Sequence, residues 1–218
     1  MFRASLCGIM IFIGVASASA QEGGKIPADI AEHMTEGLNN AAKVAVANVR
    51  RKQAEHRLDV LSKNDLTKDP NYSPPGAPKV PSSCATVAPA VIVADCKGCY
   101  EPAVTSLNHT RARLERLRTF YQATHEYAKA SMEEMDAWAE LAGHGAGVQA
   151  INEKLKIELS LKDFDKSYDN KYDELMETLK ASLGEISRCE DLIFGVKDWY
   201  DRYGFIYYQF MADRYRRD

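Results

Sequence analysis

The chain has 218 residues, with 28 Lys and Arg against 31 Asp and Glu, so its net charge is −3. This balance excludes the basic surface typical of a nucleic-acid-binding protein. After the N-terminus no run of about 18 apolar residues occurs, so no membrane-spanning helix is predicted there. The length fits a single domain. Because no cofactor or metal motif is present, neither group is expected.

Residues 1–20 have the pattern of an export signal. Arg3 precedes a short apolar core from Leu6 to Val15, and Ala18-Ser19-Ala20 supplies small residues for cleavage before Gln21. The core is too short to span a bilayer. The pattern therefore predicts an exported protein, either periplasmic or extracellular.

Residues 21–63 predict an N-terminal helix. Pro27 stands before Ala28 and Asp29, a favourable place for proline at a helix start. Several alanines raise the helix propensity but leave only a thin apolar stripe. Two interpretations stay open: a third helix packed on the rest of the chain, or a detached arm that serves another subunit.

Residues 64–98 predict an extended connection laid over the surface. Prolines at high density block both helix and sheet hydrogen bonds. The segment contains six prolines: Pro70, Pro74, Pro75, Pro78, Pro81 and Pro89. A connection of this length is unusual unless it is tied down, and a Cys84–Cys96 disulfide would do so.

Residues 99–190 predict a long antiparallel helical hairpin with its tip at Gly143–Gly147. Apolar residues recur in the first arm at heptad-like spacing, at Leu107, Leu114, Leu117, Tyr121 and Trp138. The second arm carries Ile151, Leu155, Leu161, Phe164, Tyr168, Tyr172, Leu175, Leu179, Leu183 and Ile186. Thr110, Thr124 and Ser131 interrupt the apolar seam, which suggests a groove open to another helix.

The hairpin pairs cysteines as well as apolar residues. Helices rise equally per residue, so positions equidistant from the tip become neighbours, and paired residue numbers sum to roughly 288. This register places Cys99 opposite Cys189 and predicts a disulfide at the base of the hairpin, with Cys84–Cys96 as the second bond. The rival pairing is Cys96–Cys189 with Cys84–Cys99.

Residues 191–218 predict an aromatic C-terminal helix packed on the hairpin base. Eight of the seventeen residues from Trp199 to Tyr215 are aromatic. A helix that is apolar around most of its girth is usually buried. Two other interpretations remain: docking of a partner or a second copy, and contact with a membrane surface, which is not favoured.

Two motifs bear on chemistry. Cys96-Lys97-Gly98-Cys99 has the spacing of a redox motif, but a thioredoxin-like reading needs a βαβ context that the sequence lacks. Zinc binding is also disfavoured, because no second cysteine pair has matching spacing. His144 lies among the tip glycines, where an exposed loop residue could contact a partner.

Together these features predict an all-α fold built on a disulfide-stapled hairpin. The expected function is that of a secreted or periplasmic, non-enzymatic protein that presents a rigid hairpin to a protein partner. Five residues are candidate partner contacts: His144, Trp199, Tyr203, Tyr207 and Phe210. The alternatives are a thiol–disulfide oxidoreductase using Cys96 and Cys99, and a helical carrier of an apolar ligand. A homo-oligomer is compatible with all three.

Overall fold

A computed structural model describes residues 28–63, 94–142, 144–194 and 199–216, without the side chains of 94–97, 99, 144–146, 192–194 and 199–203. These ranges form four α-helices and no strand, which confirms the all-helical prediction. The helices are α1 (Ala28–Lys63), α2 (Ala94–Ala142), α3 (His144–Phe194) and α4 (Trp199–Asp213). The predicted export signal, Cys84 and most of the proline-rich connection lie outside the described residues.

Helix α1 runs without a break through Gly37. Near its start, the Thr35 hydroxyl donates to the Ala31 carbonyl at 2.8 Å. The residues up to Glu36 form a unit of their own, and the packing of the four helices lies within the unit from Gly37 to Asp218.

Helices α2 and α3 lie antiparallel in the predicted register. Near one end the Ser182 hydroxyl donates to the Ser106 hydroxyl at 2.9 Å, and near the other Lys154 donates to Asp136 at 2.9 Å. Between these points the rings of Tyr121 and Tyr168 lie 4.2 Å apart, as the register predicts. Each pair of residue numbers sums to between 288 and 290.

The ends of the two helices differ from the predicted bounds. Helix α2 begins at Ala94, ahead of Cys99, and contains Pro102. Helix α3 already begins at His144, within the predicted tip, and Gly143 lies outside the described residues. Glycine lowers helix propensity by about 1 kcal/mol per residue, which the packing of α3 on α2 can outweigh.

The core lies between α2 and α3, in the half of the pair away from Gly143. It is made mainly of leucines and tyrosines that are less than a tenth exposed: Leu107, Leu114, Leu117, Tyr121, Tyr168, Tyr172, Leu175, Leu179 and Leu183. Such burial contributes roughly 1.5–3 kcal/mol for each fully buried aliphatic side chain. This half of α2 and α3, residues 103–125 and 164–190, is called the base half below.

The polar residues of the seam do not line an open groove, so that prediction is wrong at two positions. Thr110 is fully buried and Ser131 is 6% exposed. The hydroxyls of Ser131 and Thr124 donate to carbonyls four residues back in their own helix, at 2.8 and 2.9 Å. A hydroxyl satisfied in this way needs no further helix beside it.

Helix α4 folds back against α3 and closes the base half. Phe210 joins the core, and Ile206 and Tyr207 pack against it. Two tyrosines of α3 donate to carbonyls of the α4 end: Tyr172 to Phe210 O at 2.5 Å, and Tyr168 to Arg214 O at 2.6 Å.

The part of α1 after Glu36 packs antiparallel on α2, mostly through charged side chains. Lys43 pairs with Glu140 at 2.7 Å, and Arg57 pairs with Glu126 at 2.6 Å. A small apolar cluster lies between the helices and contains Val44, Ala47 and Ala137.

Candidate functional site

The half of the hairpin nearest Gly143 leaves a set of large apolar side chains exposed. This tip half comprises residues 126–142 of α2 and 144–163 of α3. Its exposed members, called the tip surface below, are Trp138 (42%), Leu141 (36%), Val148 (64%), Ile151 (66%), Leu155 (53%) and Leu159 (53%). In the base half, by contrast, the large residues that α2 and α3 turn toward each other are buried. The tip surface is therefore a local feature of the molecule.

Helix α3 is apolar on two sides in the tip half. Val148, Ile151, Leu155 and Leu159 recur at steps of three and four residues, so they form one stripe along the helix. Ile157 and Leu161 point to another side and are half-buried. Packing against α2 requires one apolar side of α3 in the tip half, so the second apolar side remains available for another contact.

A shallow groove of about 470 Å³ lies between α2 and α3 in the tip half. Its lining is Asp136, Ala139, Gly147, Ala150, Ile151, Lys154, Leu155 and Glu158. Three of the lining residues are small, two are large and apolar, and the lining also contains the ion pair between Asp136 and Lys154. A groove that combines apolar and charged residues can accept the apolar face of an amphipathic helix.

A second cluster holds the end of α4 to α3. The Arg214 guanidinium donates to Asp169 at 2.9 Å and to Asp173 at 2.6 Å, and its centre lies 5.1 Å from the centre of the Tyr172 ring. The Tyr215 hydroxyl donates to the same Asp169 oxygen at 2.6 Å. The cluster combines charge-assisted hydrogen bonds with a cation–π contact.

The phenols and guanidinium of this cluster have displaced pKa values. Burial raises the pKa of Tyr172 to about 12, and burial also raises the pKa of Tyr168. The hydrogen bond to Asp169 is the main cause of the raised pKa of Tyr215. Burial acts to lower the pKa of Arg214, but the bonds to Asp173 and Asp169 raise it overall. The tyrosines therefore remain hydrogen-bond donors at all ordinary pH values.

His125 is a further titratable residue that the fold brings into contact with others. Its Nε2 lies 2.8 Å from Asp165 Oδ1, and its ring lies 4.3 Å from that of Tyr121. The side chain is 14% exposed, so most of the ring is covered by its neighbours. The pair links α2 to α3 at the border between the two halves.

The five residues predicted to contact a partner do not lie on one common surface of the described structure. Phe210 and Tyr207 face the core. Three other predicted contacts, His144, Trp199 and Tyr203, lie on helices, but their side chains are outside the described part. Among the described side chains of α4, the large exposed apolar ones are Phe205, Tyr208 and Met211, and Tyr215, just beyond the helix, is also exposed.

The predicted disulfide residues are described only in part. Cys189 lies on α3 and is fully buried. Cys96 and Cys99 lie on α2, but their side chains are outside the described residues, as is Cys84 altogether. The redox alternative and the disulfide pairing both remain predictions.

Sequence reasoning missed the tip surface because it assigned Ile151 and Leu155 to the seam between the two arms. The sequence does contain a pattern that indicates this surface. Apolar residues of α3 form two rows at helical spacing: Val148, Ile151, Leu155 and Leu159 in one, and Ile157, Leu161 and Phe164 in the other. Two apolar rows on one helix indicate that the helix packs against two different partners.

Comparison with protein-family models, with curated proteins and with solved structures found no match. Among the described residues, no helix combines the length and apolarity needed to cross a membrane. The same residues contain no group of three or more His, Cys, Asp or Glu side chains placed to hold a metal ion.

Proposed function

We propose that the chain is an exported, non-enzymatic helical protein that binds a protein partner through the tip surface. The supporting observation is the contrast between the two halves of the hairpin. The base half buries its leucines in the core that Phe210 of α4 joins, whereas the tip half leaves six large apolar side chains at least a third exposed. Exposed apolar patches of this kind mark interaction sites.

The composition of the tip surface fits a protein partner. Trp138 has a large side chain with few rotatable bonds, and such residues are favoured anchors at interfaces. Burying apolar surface yields about 25 cal/mol per Å², so covering these side chains would supply a substantial driving force. The two paired helices hold the surface in place before binding, which lowers the entropy lost on association.

The proposal includes a disulfide between Cys99 and Cys189 at the base of the hairpin, with Cys84–Cys96 as the second bond. Cys189 is fully buried on α3, and the α2–α3 register supports Cys99 as the residue opposite it. Cys96, one helical turn earlier in α2, is the rival partner. Disulfides persist in oxidising compartments, which agrees with the export pattern of residues 1–20.

Site-specific photo-crosslinking in cells that naturally make the chain tests the proposed function. A photo-reactive residue at Val148 lies on the tip surface, and the matched control is the same residue at Lys180, an exposed position of α3 in the base half. The proposal predicts a protein adduct at Val148 that is absent at Lys180. Equal adducts at both positions, or none at either, would contradict it.

A further inference from the structure

The chain carries two exposed aliphatic stripes on two different helices. The α3 stripe is the part of the tip surface formed by Val148, Ile151, Leu155 and Leu159. The α1 stripe consists of Leu38, Val46 and Val49, which are 70%, 53% and 54% exposed. Each residue of both stripes is thus more than half exposed, and apolar rows of this kind are expected to be covered by something.

The α1 stripe cannot cover the α3 stripe of its own chain, because the α1 stripe is turned away from α2. On α1, Val44 and Ala47 face α2, and Leu38 and Val49 lie on the opposite side of the helix by residue spacing. The α3 stripe borders the groove between α2 and α3, where Ile151 is 66% exposed. The two stripes therefore remain uncovered on different sides of the hairpin.

The stripes match in length and in character. Leu38 and Val49 are eleven residues apart, as are Val148 and Leu159. Each stripe therefore extends about 16 Å along its helix. Both are aliphatic, so helix-to-helix packing can interdigitate their side chains as ridges into grooves.

We propose that the partner of the tip surface is a second copy of this chain, whose α1 stripe packs on the α3 stripe. This inference rests on the proposed function and names the partner. If two copies exchange the contact reciprocally, it would cover on the order of 1,000 Å² of apolar surface, which approaches the size of a stable protein–protein interface. If each copy uses both of its stripes against the same partner, the assembly is a two-fold dimer. If each copy binds one partner through its α1 stripe and another through its α3 stripe, the assembly is a ring or a filament.

Size-exclusion chromatography with light scattering tests the contact on the purified chain. The wild type is expected to have a mass above that of a monomer. Val49→Glu on the α1 stripe and Leu155→Glu on the α3 stripe should each give a monomer, because a carboxylate would have to be buried in an apolar contact. Ser160→Glu is the matched control, because Ser160 is exposed on α3 outside the stripe, and it should keep the wild-type mass. Circular dichroism and thermal melting show that each variant remains folded.

A mixing experiment distinguishes this contact from any other self-association. The Val49→Glu chain keeps an intact α3 stripe, and the Leu155→Glu chain keeps an intact α1 stripe. A tagged Val49→Glu chain should therefore retain an untagged Leu155→Glu chain, but not an untagged Val49→Glu chain. If the Val49→Glu chain associates with itself as well as the wild type does, or if the two variants do not associate, the inference is overturned.

The crosslinking at Val148 separates failure of this inference from failure of the proposed function. An adduct with twice the mass of the chain supports the second copy. An adduct with a different protein overturns the second copy but leaves the proposed function standing. The absence of any adduct contradicts both.

Discussion

Single hydroxyl groups of α3 hold the end of α4. The last carbonyls of a helix have no partners within the helix, and they must bond elsewhere when they are buried. Tyr172 and Tyr168 donate to the carbonyls of Phe210 and Arg214, respectively. Because these tyrosines also fill the core with their rings, they couple the capping of α4 to the packing of α2 against α3.

Replacing Tyr172 with Phe tests this role. The ring stays in place, but the Phe210 carbonyl loses its donor, so the free energy of unfolding should fall by about 1–2 kcal/mol. Urea denaturation monitored by circular dichroism measures the change. Tyr208→Phe is the matched control, because Tyr208 is 60% exposed, and it should change stability by less than about 0.5 kcal/mol. Equal effects of the two substitutions would contradict the capping role.

Ionisation of the Tyr172 hydroxyl should also lower the free energy of unfolding at alkaline pH. The pKa of Tyr172 is raised from 10.0 to about 12 in the folded chain. A raised pKa favours the folded state below pH 10, and this contribution disappears as the pH rises through about 12. The stability difference between wild type and Tyr172→Phe should therefore shrink between pH 10 and 12. Urea unfolding at a series of pH values measures it, and a difference that is constant up to pH 12 would contradict the prediction.

At the scale of elements, α1 depends on polar contacts more than on a core. The buried apolar contact between α1 and α2 is limited to a few small residues, Val44, Ala47 and Ala137. Arg51 and Asn48 both donate to the Glu134 carboxylate, which is 13% exposed. The other ion pairs between the two helices are far more exposed, and such pairs contribute little.

Arg51 and its neighbour Arg50 form a matched pair for testing this docking. Arg51→Ala leaves the largely buried Glu134 without its cation, and should destabilise the docking of α1 by roughly 1–3 kcal/mol. Arg50 pairs with Glu133 at 3.7 Å in an exposed position, so Arg50→Ala should cost less than about 0.5 kcal/mol.

Hydrogen exchange of the α1 amides after Glu36 provides the measurement for this pair. Exchange should accelerate in Arg51→Ala and remain close to wild type in Arg50→Ala. If both variants exchange at the same rate, the docking of α1 does not depend on the Arg51–Glu134 contact.

At the scale of the whole molecule, the proposed Cys99–Cys189 bond would close a loop of about 90 residues. In the chain-entropy account such a crosslink stabilises the fold by on the order of 4–5 kcal/mol. Reduction should therefore lower the melting temperature markedly. Cys189→Ser should reproduce most of this loss, and reducing agent should lower its melting temperature much less.

Peptide mapping of the oxidised chain identifies the bond directly. Trypsin cuts after Lys97, so Cys96 and Cys99 fall into different peptides. The Cys189 peptide should be linked to the peptide that begins at Gly98. A link to the peptide that ends at Lys97 would instead exclude Cys99 as the partner of Cys189. That peptide begins at Val80 and contains both Cys84 and Cys96, so further digestion with Asp-N, which cuts before Asp95, identifies the linked cysteine. A Cys96–Cys189 bond would establish the rival pairing, and a bond between Cys96 and Cys99 would favour the redox alternative.

The sequence by itself determined the helical class and the register of α2 against α3. Heptad-like apolar spacing, the equal rise of two helices and the glycines near residue 145 suffice to pair Tyr121 with Tyr168, and the structure confirms this pairing. These are local properties: spacing and propensity act within a helix or between two helices joined by a short turn.

Only the tertiary structure decided which apolar surfaces are covered. Whether Phe210 or Phe205 faces the core depends on how α4 rotates against α3, because aromatic residues occur on several sides of that helix. Similarly, Leu155 and Leu175 look equivalent in sequence, but α4 folds back over the base half alone and leaves Leu155 exposed. Burial is a property of contacts between distant segments, so the spacing within one helix does not specify it.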